Sequence, residues 1–281
     1  MTRWIALTVV LTSAAAHAAS FPGDARYRAL RCRGDVMTDP LGDQPPALAE
    51  RDLVGDPAAA AGLRAADAQF LYLRIRLDRD PAPGGAVQPF AWGMAFDLDG
   101  DRTTYELLIT ADGIGSPNGT VSVFTNQTTT LANSPADLAD APAAATFPFA
   151  DAARAIAAGT RTGNNADFFL DLAVPWTTLA PLGLDRDTRT YVWAGSSSVA
   201  DALDGDLACH DGGTGGAARL GAIASDQTTG DPTREPGGGS GGGGGDLRLE
   251  GGGGCQAGGS VGLGLALALL GLRRRSARQN T

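Results

Sequence analysis

Alternation of apolar and polar residues is the dominant pattern in the middle of the chain. In the segment Phe70 to Leu77, apolar residues occupy every second position, and Arg74 and Arg76 lie between them. The apolar positions on one face are Leu71, Leu73, Ile75 and Leu77. Because successive side chains of a strand point to opposite faces, this pattern predicts a half-buried β-strand. Similar alternation predicts further strands at Phe90 to Asp97, Thr104 to Thr110, Thr120 to Asn126, Asp167 to Val174 and Thr190 to Ser196.

The segments between these predicted strands are rich in glycine, proline, asparagine and aspartate, which are turn residues. Several short strands with such turns predict an all-β fold, an antiparallel β-sandwich, formed as one domain by residues 19–236. One helix is expected at Phe149 to Ala158, where alanines give high helix propensity and Gly159 follows.

The N-terminal residues have the organisation of a secretory signal peptide. Arg3 precedes the apolar stretch Trp4 to Leu11, and small residues follow up to Ala18. The sequence therefore predicts a signal peptide at residues 1–18, with cleavage after Ala18 or after the neighbouring Ala19. An exported protein is expected.

The C-terminal residues form a glycine-rich linker at 237–254 and a tripartite segment at 255–281. Cys255 follows four glycines, Val261 to Leu272 is an apolar run of twelve residues, and an arginine cluster closes the chain. A permanent membrane-spanning helix usually needs about 20 apolar residues, so this run is marginal as an anchor. The cluster comprises Arg273, Arg274, Arg275 and Arg278, which favour a cytoplasmic C-terminus.

This tripartite segment resembles the MYXO-CTERM sorting signal, in which a glycine-flanked cysteine precedes a short hydrophobic helix and a basic end. The resemblance covers about a tenth of the chain. It implies cleavage near Cys255 by a myxosortase-type sorting protease at the membrane, a lipid attached to that cysteine, and retention at the cell surface. The alternative is an ordinary C-terminal membrane anchor with an incidental cysteine.

The excess of acidic residues and the number of cysteines indicate which partners and which compartment suit the protein. Without Arg3 and the four C-terminal arginines, 17 arginines oppose 31 acidic residues, and such a surface would repel nucleic acid. Cys32 and Cys209 are the two cysteines besides Cys255, and in an oxidising compartment they are expected to form a disulfide. Two separate thiols are the alternative.

Three stretches of the predicted domain resemble the extracellular sandwiches related to family 9 carbohydrate-binding modules and DOMON domains. They are Asp39 to Asp43 with Asp52 to Gly55, Trp92 to Glu106, and Asp167 to Trp176. They cover about half of the predicted domain, and no sugar-stacking residue can be transferred by position. The resemblance implies a non-catalytic sandwich that binds a glycan or another extracellular ligand.

Calcium is the candidate cofactor, because closely spaced carboxylates can supply the oxygen ligands that it takes. The sharpest candidate is Asp97, Asp99 and Asp101 around Gly100. It departs from the helix-loop-helix calcium motif, since Gly100 is fourth and Glu106 tenth in the loop. An acidic hairpin turn without a metal is the alternative. Two further acidic groups are Asp39, Asp43, Asp52 and Asp56, and Asp201, Asp204 and Asp206.

Aromatic residues suggest where a sugar could stack. Trp92 and Trp193 lie inside predicted strands, where large apolar side chains fill a sandwich core. Trp176 follows Pro175 at the end of a predicted strand and is the tryptophan expected to be exposed and to contact a ligand.

The composition offers few of the residues that form common catalytic sites. The predicted mature chain has no lysine and one histidine, His210, which is too few nitrogen ligands for a typical zinc site. The segment Gly195 to Val199 lacks the second glycine of a nucleophile elbow. The sequence therefore predicts a non-enzymatic binding module at the cell surface. The alternative is a coat or adhesion protein of the envelope without a specific small ligand.

Overall fold

The computed structural model describes residues 18–32, 34–43, 48–209, 220–223 and 225–228. In these ranges the chain forms mainly short strands: β1 (Arg28–Ala29), β2 (Arg31–Cys32), β3 (Asp35–Val36), β4 (Gly62–Ala66), β5 (Phe70–Leu77), β6 (Ala91–Asp97), β7 (Leu107–Asp112), β8 (Thr120–Thr125), β9 (Asp140–Pro148), β10 (Ala153–Ala157), β11 (Phe168–Pro175), β12 (Arg189–Ser197), β13 (Asp206–Leu207) and β14 (Ser225–Thr228). The helical elements are single turns: α1 (Phe149–Ala152), α2 (Trp176–Leu179), α3 (Leu220–Ile223) and 3₁₀ turns at Asp24–Arg26, Pro83–Gly85 and Ala180–Leu182. The predicted linker and sorting segment, His210 and residues 1–17 lie outside the described residues.

Two antiparallel sheets make up the described domain, which confirms the predicted all-β sandwich. The first sheet has the strand order β1-β4-β5-β11-β10. The second has the order β13-β12-β6-β7-β8-β9, with β14 also paired to β12. Strands β2 and β3 form a separate two-stranded hairpin.

The main core lies where apolar faces of both sheets meet. From the first sheet, Leu73 and Ile75 of β5 are 1% and 0% exposed. From the second sheet, Trp92 and Met94 of β6 and Ile109 of β7 are each 0% exposed and belong to the same apolar cluster. Burying each large apolar side chain stabilises the fold by about 1.5 to 3 kcal/mol, which makes this cluster the main support of the sandwich.

A second apolar cluster covers the opposite face of the second sheet. Trp193 of β12 and Leu108 of β7 are buried there together with Tyr105, Leu203 and Leu220 of α3. The indole N–H of Trp193 donates to the carbonyl of Leu220 at 3.1 Å. The core positions predicted for Trp92 and Trp193 are therefore confirmed, and β6 is buried on both faces.

Strand β5 has the predicted bounds, but the prediction that it is half-buried was wrong. Arg74 and Arg76 are only 1% and 5% exposed. Arg74 binds Asp171 of β11 through two hydrogen bonds of 2.6 and 2.8 Å and lies between the rings of Tyr27 and Phe169. Because a carboxylate and two aromatic rings cover the guanidinium, the polar face of this strand is buried as well.

The helix predicted at Phe149 to Ala158 is wrong over most of its length. Only Phe149–Ala152 is helical, and Ala153–Ala157 forms β10, paired antiparallel with β11. The side chain of Arg154 reaches Asp171 at 2.8 Å from the edge of the sheet. Pairing with β11 therefore overrides the helix propensity of the alanines.

A disulfide joins Cys32 and Cys209, as predicted, and rules out two separate thiols for this pair. Cys32 ends β2, and Cys209 follows β13, with a Cα–Cα distance of 6.1 Å. The amide of Cys209 also donates to the carbonyl of Thr38 at 2.9 Å. The bond therefore joins the β2–β3 hairpin near the start of the domain to the segment that follows β13.

Candidate functional site

A groove opens beside α2, where β11 leaves the first sheet. Its volume is about 800 Å³, and its walls combine aromatic and polar side chains. Those that bear on recognition are Phe70, Phe147, Trp176, Asp67, Gln69 and Thr177. Phe70 and Phe147 are half-buried, whereas Gln69 and Thr177 are exposed. The groove therefore offers apolar ring faces together with accessible amide and hydroxyl groups.

Trp176 lines this groove, but the expectation that it is exposed was wrong. Its side chain lies at the start of α2 and is 7% exposed. Its amide donates to the carbonyl of Gln69 at 2.9 Å, and its indole N–H donates to the carbonyl of Asp67 at 3.1 Å. The residue thus anchors the turn after β11 on the loop before β5, and only a small part of its ring is accessible in the groove.

Asp67 gives the groove a fixed charge. Its Oδ1 accepts the amides of Gln69 and Phe70 at 2.7 and 2.8 Å, and its Oδ2 accepts the hydroxyl of Tyr72 at 2.7 Å. Burial alone would raise the pKa of Asp67, but these hydrogen bonds outweigh it and hold the pKa below its ordinary value. The carboxylate therefore stays ionised and orders the loop that carries Gln69.

The predicted carboxylates Asp97, Asp99 and Asp101 lie on the turn after β6, but only two of them meet. One oxygen from each of Asp97, Asp99 and Glu106 lies within 4.8 Å of the others. The carboxylate of Asp101 instead accepts the amide and hydroxyl of Thr103 at 3.1 and 2.7 Å. The structure thus places Glu106 in the group where the sequence named Asp101.

Donors of the same turn satisfy most of the oxygens in this group. Oδ1 of Asp97 accepts the amides of Asp99 and Gly100 at 3.0 and 2.6 Å, and Oε2 of Glu106 accepts the amide of Leu98 at 2.7 Å. Burial raises the pKa of Asp97 and of Glu106. These hydrogen bonds account for the shape of an acidic hairpin turn, whereas Oδ2 of Asp97 is buried and accepts no hydrogen bond from a described group. Calcium at this turn stays a prediction.

The two remaining acidic groups of the sequence are partly brought together. One oxygen from each of Asp39, Asp43 and Asp206 lies within 4.8 Å of the others. Asp39 and Asp206 are 1% and 0% exposed, Asp43 is half-buried, and Asp52 lies beside them at 2% exposed. We call these four residues the buried acidic cluster. No sequence signal joins Asp206 to the other three, because the two segments lie near opposite ends of the domain.

The other members of those groups have local roles. Oδ1 of Asp56 accepts the amides of Ala58 and Ala59 at 2.7 and 2.8 Å, which closes a turn. Asp204 accepts the hydroxyl of Ser197 at 2.6 Å. The backbone carbonyl of Asp201 accepts the amide of Ala139 at 2.8 Å. These residues therefore stand apart from the buried acidic cluster.

No family model matches the chain, and neither the curated proteins nor the solved structures give a significant match. Among the residues with described positions, no helix is long and apolar enough to cross a membrane. The groove and the acidic groups are therefore the features of the chain that bear on its function.

Proposed function

We propose that this protein is an exported binding module that is held at the cell envelope and binds an extracellular glycan without catalysing a reaction. The main observation in support of this function is the groove beside α2. Its volume of about 800 Å³ is within the range of about 300 to 1,000 Å³ that small-molecule sites occupy. The disulfide between Cys32 and Cys209 supports export, since such bonds persist in oxidising compartments.

The walls of the groove suit a neutral sugar. A pyranose ring has apolar C–H faces, which pack on the rings of Phe70 and Phe147, and hydroxyl groups, which hydrogen-bond to Gln69 and Thr177. The ionised carboxylate of Asp67 and the large excess of acidic residues disfavour an anionic polysaccharide. The ligand class proposed is therefore an uncharged oligosaccharide.

A glycan array tests this function directly. Wild-type protein is expected to bind a subset of neutral glycans, and Gln69→Ala is expected to weaken that binding, because the accessible amide of the groove is removed. Gln127→Ala serves as the matched control, since Gln127 is also exposed but does not line the groove. Silence of the wild type across diverse neutral glycans would contradict the binding function and favour the envelope coat or adhesion protein.

Retention at the envelope is proposed to depend on Cys255. The tripartite segment supports this, through its glycine-flanked cysteine, its short apolar run and its arginine cluster. Mass spectrometry of the C-terminal peptide from the native protein is expected to end near Cys255 and to carry a lipid. A Cys255→Ala variant should keep its tail. An intact native chain that ends at Thr281 would overturn the sorting proposal.

A further inference from the structure

The buried acidic cluster is built by two distant parts of the chain. Asp39 is fixed by a backbone bridge to Gly55, with N–O distances of 3.0 and 2.9 Å. Asp206 is the first residue of β13, and its Oδ2 accepts the amide of Leu53 at 2.6 Å. Because backbone pairing fixes both residues, the fold itself keeps the carboxylates of Asp39 and Asp206 close together.

Hydrogen bonding leaves part of this cluster without donors. Both carboxylate oxygens of Asp39 and Oδ1 of Asp206 are buried and accept no hydrogen bond from any group that the structure describes. A buried polar atom without a partner costs about 1 to 3 kcal/mol, and more when it is charged. Two other buried carboxylates of the domain are fully compensated: Asp171 binds two arginines, and Asp137 accepts four hydrogen bonds. Asp78 and Asp97 each keep one buried oxygen without a described partner, whereas Asp39 has two.

The carboxylates of the cluster lie close enough to act on one another through their charges. Burial and the neighbouring carboxylates of Asp206, Asp43 and Asp52 raise the pKa of Asp39 well above its ordinary value. Burial, followed by the charge of Asp43, does the same to the pKa of Asp206.

Among the described residues, Arg51 lies close to the β13 side of the cluster, next to the residue before Asp206. It lies against Gly205 and over the ring of Phe90, with its guanidinium carbon 5.6 Å from the ring centroid.

We infer that Asp39, Asp43 and Asp206, with Asp52 beside them, form a buried calcium site that fastens the loop after β3 to β13. The donor set consists of carboxylate oxygens, which hard cations prefer, and it contains none of the nitrogen or sulfur ligands typical of zinc. Calcium fits better than magnesium, because a flexible set of six to eight oxygens can include backbone carbonyls, whereas magnesium demands a near-ideal octahedron.

The position of the site gives the ion a structural role. Asp52 accepts the amide of Gly42 at 3.0 Å, which holds the turn that carries Asp43. The Cys32–Cys209 disulfide and the hydrogen bond from Cys209 to Thr38 lie at the same junction. Calcium and the disulfide therefore reinforce the same connection between the beginning and the end of the domain. This inference is independent of the glycan groove.

Calcium titration of the full-length, oxidised protein at neutral pH tests the site by calorimetry and by thermal unfolding. One calcium ion is expected to bind at this cluster. At calcium one hundred times its Kd, the Tm should rise by about 5 to 10 °C over that in chelator. Asp39→Asn and Asp206→Asn should each weaken binding by at least about tenfold, because each removes a charged ligand. Both variants should fold without calcium, since each also removes a repelling charge.

Asp99→Asn is the matched control, because it removes a carboxylate from the other acidic group. It should leave the calcium response unchanged. The inference is overturned if the wild type shows neither heat of binding nor a Tm shift at millimolar calcium. In that case the carboxyl groups of the cluster would be protonated and would bind no ion. The inference is equally overturned if Asp99→Asn abolishes the response while Asp39→Asn preserves it. Neither result bears on the glycan array, so the two proposals fail separately.

Discussion

The ion pair between Arg74 and Asp171 provides the most quantitative prediction for this fold. Arg74 donates from Nε to Oδ1 of Asp171 at 2.6 Å and from a terminal nitrogen to Oδ2 at 2.8 Å. Both side chains are at most 1% exposed. Asp171→Ala would leave a buried guanidinium without its main partner, which typically costs about 3 to 5 kcal/mol. For a domain of this size, that corresponds to a fall in Tm of roughly 6 to 20 °C.

Asp24→Ala is a control that touches the same guanidinium. Asp24 lies 2.8 Å from the other terminal nitrogen of Arg74, but its side chain is 75% exposed. Exposed pairs contribute about 0 to 1 kcal/mol, so this variant should unfold at nearly the wild-type denaturant concentration. Equilibrium unfolding in urea compares the two. If Asp171→Ala lowers the free energy of unfolding no more than Asp24→Ala does, burial does not determine how much the Arg74–Asp171 pair stabilises the fold, and this prediction is wrong.

Three further perturbations follow from the described contacts. Reducing the Cys32–Cys209 disulfide, whose cysteines are 177 positions apart, should lower the free energy of unfolding by about 5 kcal/mol in the chain-entropy model, measured in urea with and without reductant. A cost below about 1 kcal/mol would contradict it.

Burial would raise the pKa of Asp137, but hydrogen bonds from Asn126 and Thr130 outweigh burial and hold this pKa below its ordinary value. The stability that the ionised Asp137 contributes is therefore complete above the pKa of the unfolded state and is lost as the pH falls through the pKa of the folded state. The stability advantage of wild type over Asp137→Asn should therefore shrink as the pH is lowered below about 4, and an advantage independent of pH would refute this. Gly93→Ala would place a Cβ 2.1 Å from the carbonyl oxygen of Ile109 and should cost about 1 to 3 kcal/mol in thermal unfolding, whereas Gly23→Ala, with open space around it, should be neutral. Equal Tm values for these two glycine variants would contradict the close packing of β6 on β7.

Strands with strong alternation could be predicted from sequence, and strands without it could not. Strands β5, β11 and β12 combine apolar alternation with aromatic or branched residues and lie close to their predicted bounds. In contrast, β9 consists largely of alanine and proline and is half exposed along the edge of its sheet. Its pairing with β8 forms the strand, and that long-range partner leaves no local pattern.

For the candidate sites too, contacts between residues that are close in the sequence could be predicted, and contacts between distant residues could not. Aspartates that share one turn are close in the sequence, so the sequence alone groups Asp97 with Asp99. Asp206 joins Asp39 only because β13 pairs with β12 beside the loop after β3, and Arg74 meets Asp171 only because β5 and β11 pair in that register. The chemistry of such clusters depends on strand register, which residue types alone do not specify.

The crystal structure of the protein with the strongest neutral oligosaccharide from the array is the most direct test of the binding function. We expect an ordered sugar ring in the groove beside α2, packed on Phe70 or Phe147 and hydrogen-bonded to Gln69 or Thr177. An oligosaccharide bound at any other surface, with this groove left empty, would contradict it.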